Sequence, residues 1–325
     1  MKKYLAASVA SVFMLAAGSA NALDVRLSHS QQADLYNDIH QSMWFFKNYL
    51  EEKLPNVNVT IHPFNELGQE REVYEAMQLG TGASCSISGT AILNNFSKKM
   101  GVVDLPYIWS SYDHIHTVLD GEIGDELRAD LRSSGIDILA FLDSWGARHI
   151  LTHGKPVTSP EELAGLKIRT IPTKTYVETI KAMGANATPM AFGEVYTAME
   201  TGVIDGLEQN ASVAYGNKFY EVTEYLTKTN HLFGTLVLAC SSDFMNRLDD
   251  DQRAKVQEAA NLARDAQRGL ALQREAETME LLEKAGMKIH EIDVTPFRDT
   301  ALEVQDRLAE ELGATEILAK IREQG

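Results

Sequence analysis

The chain has 325 residues, and its 46 acidic side chains outnumber 30 basic ones to give a formal charge of −16. That surplus excludes nucleic acid and anionic membrane surfaces as main partners, since both are recruited by cationic patches. Two cysteines, Cys85 and Cys240, exclude a disulfide framework and a cysteine-based zinc site.

Residues 1–22 open with Lys2 and Lys3, run uncharged through "YLAASVASVFMLAAG" and end in Ala20-Asn21-Ala22. This is the pattern of a secretory signal peptide, and it assigns the remaining chain to the periplasm. Removing the two lysines takes the charge from −16 to −18. No later stretch reaches the roughly 18 uninterrupted apolar residues of a membrane span, so no direct membrane insertion is expected. About 300 residues remain, more than one core comfortably fills, and two domains are expected.

"LDVRLSHS" alternates as a strand, and "DLYNDIHQSMWFFKNYLEEKL" carries apolar residues at helical spacing until Pro55. "VNVTIHPF" is again a strand, and "GQEREVYEAMQLG" a helix capped by Gly80. Further along, "DILAFLDSW" is an apolar strand, and "SPEELAG" carries a capping box, with Ser159 as N-cap, Pro160 first in the helix and Glu162 reaching back. "GLKIRTI" and "VIDGLE" read as strands, "TYVETIKAMG" and "FGEVYTAMETG" as helices. This β-α rhythm implies a largely parallel sheet covered by helices. From Asp249 to Gly286 the pattern predicts one helix of roughly 55 Å, or two helices broken at Gly269. Cys85 and Cys240 lie in apolar, strand-like surroundings and are read as two buried thiols, with one disulfide as the alternative in an oxidising compartment.

Arg169 stands at the end of the strand "GLKIRTI", and Arg148 follows the strand before "WGARHI". Ligands of α/β sheets bind beyond the carboxyl ends of strands, and a guanidinium fork matches a carboxylate bidentately. The competing reading pairs each arginine with a protein carboxylate, for which Glu194, Asp205 and Glu208 are candidates. An enzyme is poorly supported: "GTGASC" lacks the full dinucleotide fingerprint, and neither G-x-S-x-G nor H-E-x-x-H occurs. His149 and His153 lie on a strand, where a spacing of four makes no helical face, and His114 and His116 diverge on a helix. No catalytic residue, metal or cofactor is expected.

The segment "GLKIRTIPTKTYVETIKAMGANATPMAFGEVYTAMETGVIDGLEQN", together with "FNELGQEREVYEAMQLG", "DLPYIW" and "TNH", resembles the signature of periplasmic solute-binding proteins of tripartite ATP-independent periplasmic (TRAP) transporters, the DctP-like group. The resemblance covers the chain beyond residue 22. It implies an α/β, two-lobed periplasmic-binding-protein fold with discontinuous lobes, crossing hinge strands and a long lobe-spanning helix. The lobes would comprise residues 23–145 with 235–274, and 146–234 with 275–325.

By the same resemblance Arg169 is the principal carboxylate-binding arginine and Arg148 the second, and Phe192 packs on the ligand's carbon skeleton. His231 falls at a ligand-facing histidine position, and His29 and Glu70 reach the cleft from the first lobe. The chain departs from the family pattern at Glu208-Gln209-Asn210, so the amide touching the carboxylate is Gln209 or Asn210. Ser88 stands where binders of the sialic type carry an acid, with Ala91 in place of an arginine. The implied function is hinge-closing capture of an organic acid anion for a membrane permease. Hydroxyl-compatible groups at the distal end favour a monocarboxylate sugar acid such as a uronate or aldonate. A C4-dicarboxylate, a keto acid and a ligand-sensing role are the alternatives.

Overall fold

The computed structural model describes residues 23–34 and 37–325, with Ser144 described by its backbone alone. The signal-peptide reading falls on residues 1–22, outside the described residues. Nine strands form one sheet: β1 (Leu23–Ser28), β2 (Val57–His62), β3 (Cys85–Gly89), β4 (Ile136–Thr152), β5 (Lys167–Thr170), β6 (Asn186–Pro189), β7 (Gly206–Gln209), β8 (Tyr225–Ser241) and β9 (Lys288–His290). Their order is β2-β1-β3-β8-β4-β7-β5-β6, with β9 on the free side of β8.

Local signals explain most elements. The helix Asp38–Lys53 starts where the Asn37 side chain accepts from the Ile39 and His40 N–H groups, and it buries Ile39, Met43, Phe46 and Leu50 on one face. In Glu70–Gln78, Glu72 accepts from the Gln69 N–H at 2.8 Å, and Gly80 ends the turn at a φ of 67° that side chains with a Cβ rarely adopt. Glu162 reaches back to the Thr158 N–H and hydroxyl, one residue before the expected Ser159, and the helix Pro160–Leu163 is a single turn.

The expected parallel arrangement holds only on the flanks. At the centre, β4 and β8, 17 residues each, pair antiparallel, and a register shift between Leu142 and Gly146 interrupts the ladder before it resumes at Gly146 opposite Gly234. Below the shift β8 is flanked by β3, and beyond it β4 is flanked by β7. Two sheet halves thus share two continuous strands. The first half is covered by one large apolar cluster that includes Leu27, Phe46, Phe141 and Leu238. The second has a cluster on each face, because successive residues Ile150 and Leu151 point to opposite sides.

The helix Asp250–Lys284 is continuous for 35 residues through Gly269, which decides between the two sequence readings. Asp249 caps it with a Gln252 box, and at 1.5 Å per residue it is about 52 Å long. It packs on Asp38–Lys53 and β4 at one end and on Ala211–Gly216 and β9 at the other. The C-terminal helices Gln305–Leu312 and Thr315–Gln324 differ from expectation. They bury Leu308, Leu312, Ile317 and Ile321 in the first cluster, and the Ile321 carbonyl lies 2.9 Å from His114 Nε2. Residues beyond about 304 therefore return to the first half, because their apolar faces complete a core that the helix Tyr112–Leu119 leaves open on one side.

Cys85 and Cys240 are both fully buried but are joined by a disulfide, which corrects the reading as free thiols. The burial signal was sound. What it lacked was the register, which places the two residues directly opposite each other on β3 and β8. The bond closes a 155-residue separation, and large loops gain most from cross-linking. Reduction, or paired replacement of Cys85 and Cys240 by Ala, is expected to lower the melting temperature by about 5–10 °C, measured calorimetrically. A change below 1 °C would mean the pairing contributes nothing to stability.

Candidate functional site

Alternation along β5 sends Ile168 into the apolar cluster of the second half and Arg169 to the opposite side, between Thr188 of β6 and Leu207 of β7. Its Nε and Nη2 both donate to the Met190 carbonyl, at 3.1 and 2.7 Å. That carbonyl holds the lateral edge of the guanidinium and leaves the terminal Nη1/Nη2 fork for a bidentate partner. Burial pushes Arg169 down to about 10, with Glu208 and Glu70 opposing the shift and Arg148 adding to it. It stays charged at neutral pH.

Arg169 lines a pocket with Gln69, Glu70, Arg71, Ile92, Trp145, Ile171, Pro172, Ala191, Phe192 and Gln209. The Arg169 guanidinium lies 6.0 Å from the Phe192 ring centre, so the aromatic wall and the cation share one end. Glu70 enters from the first turn of its helix. Ser88 Oγ donates to its Oε1 at 2.6 Å, and burial raises its pKa above the usual carboxylate range against the Ser88 bond and the field of Arg169.

Arg148 is placed differently from its sequence reading. It is fully buried but does not line the pocket. Its Nε donates to Glu208 Oε2 and its Nη2 to the Glu208 carbonyl at 3.1 Å. Glu208 was one of the carboxylates named as a competing partner, and topology explains its choice, since β7 lies between β4 and β5 and so carries Glu208 between the two arginines. Despite burial, Glu208 holds Arg148 above its ordinary pKa. The guanidinium is sandwiched by aromatic faces, 5.4 Å from Trp145 and 5.5 Å from Tyr176, and its Nη1 is buried without a partner.

The other sequence candidates divide in the same way. Phe192, Glu70 and Gln209 line the pocket, whereas His29, His231, Ser88 and Asn210 do not. His29 accepts from the Gln31 N–H at Nδ1 and contacts His40 through Nε2 at 3.0 Å. Burial, then His40, lowers its pKa to about 3, so it is neutral. His231 contacts the Thr229 hydroxyl at 2.7 Å, and burial lowers its pKa well below the ordinary value. Asn210 caps Ala211–Gly216 by accepting from the Val213 N–H. Ser88 acts through Glu70. Sequence reasoning missed Gln69, Trp145 and the apolar lining. Trp145 stood in the quoted strand, but nothing local separated a pocket tryptophan from a core one.

Near Arg148, Asp104 is 1 % exposed. Its Oδ1 meets the Thr90 hydroxyl at 2.7 Å, which also lies 3.2 Å from the Thr235 carbonyl. One hydroxyl proton cannot serve both oxygens, so a proton on Asp104 that donates to Thr90 satisfies the set. Burial raises Asp104 to about 8, with Thr90 and Arg148 opposing and Glu208 reinforcing. With Asp104 neutral, Arg148, Arg169 and Glu208 sum to one positive charge, and Glu70, which acts on Arg169 from the pocket lining, offsets it when ionised. Among the described residues no group of His, Cys, Asp and Glu is placed to hold a metal ion, and no helix is long and apolar enough to cross a membrane.

The profile of the bacterial extracellular solute-binding proteins, family 7 (DctP), matches residues 29–312. The C4-dicarboxylate-binding periplasmic protein DctP of Rhodobacter capsulatus is 32% identical over 83% of this chain and 82% of its own. The structure superposes with a TM-score of 0.87 on a TRAP periplasmic solute-binding protein of Roseobacter denitrificans with bound L-galactonate, 30% identical over 93% of this chain and 99% of that one. A Sulfitobacter TRAP periplasmic solute-binding protein with bound β-D-galacturonate gives 0.87 at 28% identity, over 92% and 99%.

The Asp104 proton has a measurable consequence. A carboxyl raised from 3.8 to about 8 binds more protons folded than unfolded between those values, so it makes stability fall as pH rises through that window. The groups facing it are Thr90, Arg148, Glu208 and Tyr176. Asp104→Asn is expected to remove this slope, so the variant's melting temperature gains on the parent's from pH 4 to 8 and runs parallel above. A constant difference across the range would place the Asp104 pKa near its unfolded value.

Proposed function

The chain belongs to the bacterial extracellular solute-binding proteins of family 7, the DctP group, and from that we propose that it is the periplasmic capture subunit of a TRAP transporter for a monocarboxylate sugar acid. The observation that carries the proposal is the free terminal fork of Arg169, a buried cation held from one side by the Met190 carbonyl. A carboxylate docked there pairs with the Arg169 cation and forms two charge-assisted hydrogen bonds in a water-poor site. Arg148 acts from beneath, holding Glu208 so that Arg169 keeps its charge without being satisfied by it.

The rest of the pocket suits hydroxyls. Gln69 and Gln209 offer both donors and acceptors, and Glu70 accepts from a hydroxyl when ionised and donates when protonated. Relatives with bound L-galactonate and β-D-galacturonate agree with such a lining. Capture proceeds by rotation of the two sheet halves about the β4–β8 register shift. The lobes are residues 23–145, 235–274 and the segment beyond 304 on one side, and 146–234 with 275–303 on the other. Closure brings Gln31 Oε1 to 2.8 Å from Asn217 Nδ2, a contact between the halves, and the closed form presents the surface that the membrane permease recognises.

A C4-dicarboxylate is the second reading, favoured by Arg71, which lines the pocket rim and could meet a distal carboxylate. A thermal-shift screen separates the two. Galactonate, galacturonate or erythronate at 100 times its dissociation constant stabilises by about 2.7 kcal/mol, and succinate should leave the protein unshifted. Succinate shifting it while no sugar acid does would overturn the first reading. Arg169→Lys, which keeps the charge but loses the fork, should weaken sugar-acid binding by about 100-fold in titration calorimetry with little change in apo melting temperature. Retained affinity would move the carboxylate elsewhere.

A further inference from the structure

Trp145 lines the pocket, is 4 % exposed, and its Nε1 is buried with no hydrogen-bond partner among the described residues. A buried indole N–H normally finds an acceptor, since it is a donor only and desolvating it unpaired is costly. The ring has been given a fixed seat nonetheless. A Cβ at Gly89 would lie 2.1, 2.7 and 2.8 Å from Trp145 Cζ3, Cε3 and Cη2, and one at Gly234 would lie 2.5 Å from Trp145 Cβ and 3.4 Å from Cε3. Only glycine at both positions admits the indole, and Gly234 is the residue at which β8 resumes pairing with Gly146. The benzo edge is therefore wedged into the strand crossing, while the pyrrole N–H, on the other side of the bicycle, faces away from the wedge. Arg148 lies 5.4 Å from the ring, which further limits its rotation.

On the reading that the ligand is a sugar acid, we propose that Trp145 Nε1–H is a specificity-determining donor to the oxygen on the carbon next to the ligand's carboxylate. The two carboxylate oxygens are served by the Arg169 fork, so the next acceptor along such a ligand is its 2-oxygen. The site thereby selects 2-hydroxy or 2-oxo acids over acids lacking that oxygen, because an unsubstituted carbon leaves the indole N–H as unpaired as it is without ligand. This requirement differs from that of Arg169, which reads only the carboxylate.

The test is a cycle of ligand and protein changes by titration calorimetry. Galactonate and erythronate, each beside its 2-deoxy counterpart, are titrated into the parent and into Trp145→Phe, which keeps a ring in the wedge and lacks the N–H. The parent should prefer each hydroxy acid over its 2-deoxy partner by about 10-fold, and Trp145→Phe should lose most of that preference while binding the 2-deoxy acids as the parent does. Equal losses for both members of each pair would overturn the assignment to the 2-oxygen. Unchanged affinities would remove Trp145 from the ligand contacts altogether. A second measurement on the unmutated protein is independent of how the variant folds: the Trp145 indole proton resonance should move downfield with galactonate and not with its 2-deoxy counterpart, and the reverse pattern overturns the proposal. If the parent binds succinate and neither hydroxy acid, the sugar-acid reading itself fails, a result distinct from a failed Trp145 assignment.

Discussion

A buried guanidinium that makes no direct ion pair with a carboxylate among the described residues, Arg169, stands at the centre of this molecule. Removing a cation from water is costly unless an anion and full hydrogen bonding replace the lost hydration. Arg148 meets the charge part of that requirement through Glu208 on the neighbouring strand, with its Nη1 left unpaired. Arg169 meets it only in part, through one carbonyl oxygen. The remainder is the part that the proposed anionic ligand would supply. Burial raises the pKa of both further carboxyls at this level, Asp104 and Glu70.

The same level is where the two halves of the sheet meet. β4 and β8 run through both, and the shift between Leu142 and Gly146 concentrates bending at one level. Tight interactions mark that level: Asp143 Oδ2 lies 2.8 Å from His116 Nε2, its N–H donates to Gln267 Oε1 at 2.7 Å, and Gln267 belongs to the long helix. The helix thus follows the strand crossing rather than either half alone. The pocket and the strand crossing share a stretch of chain: Trp145 precedes Gly146 and lines the pocket, while Arg148 follows it by two positions.

Much of the fold was legible because its signals are local. The start at Asp249, the glycine after Gln78-Leu79, and the alternation in β1, β2 and β5 each act over a few residues. Arg169 was also legible, as a charge at the end of a short apolar strand. For Arg148 the sequence left the ligand and Glu208 open as partners, and the pairing with Glu208 depends on the strand order β4-β7-β5. The disulfide, the return of the C-terminal helices and the antiparallel centre were beyond reach for a related reason, each being a pairing between segments far apart in the chain.

What the sequence by itself determined was the alphabet of elements, the family pattern and the place of Arg169 at the end of a short apolar strand. These follow from side-chain periodicity, capping and fixed charge, which need no knowledge of distant neighbours. Only the tertiary structure decided which buried polar atoms end up satisfied. Hydrogen bonds act over about 3 Å, and whether Trp145 Nε1, Arg148 Nη1 or Asp104 Oδ2 has a partner depends on strands brought together from across the chain. Those unmet bonds exist only once the chain is folded.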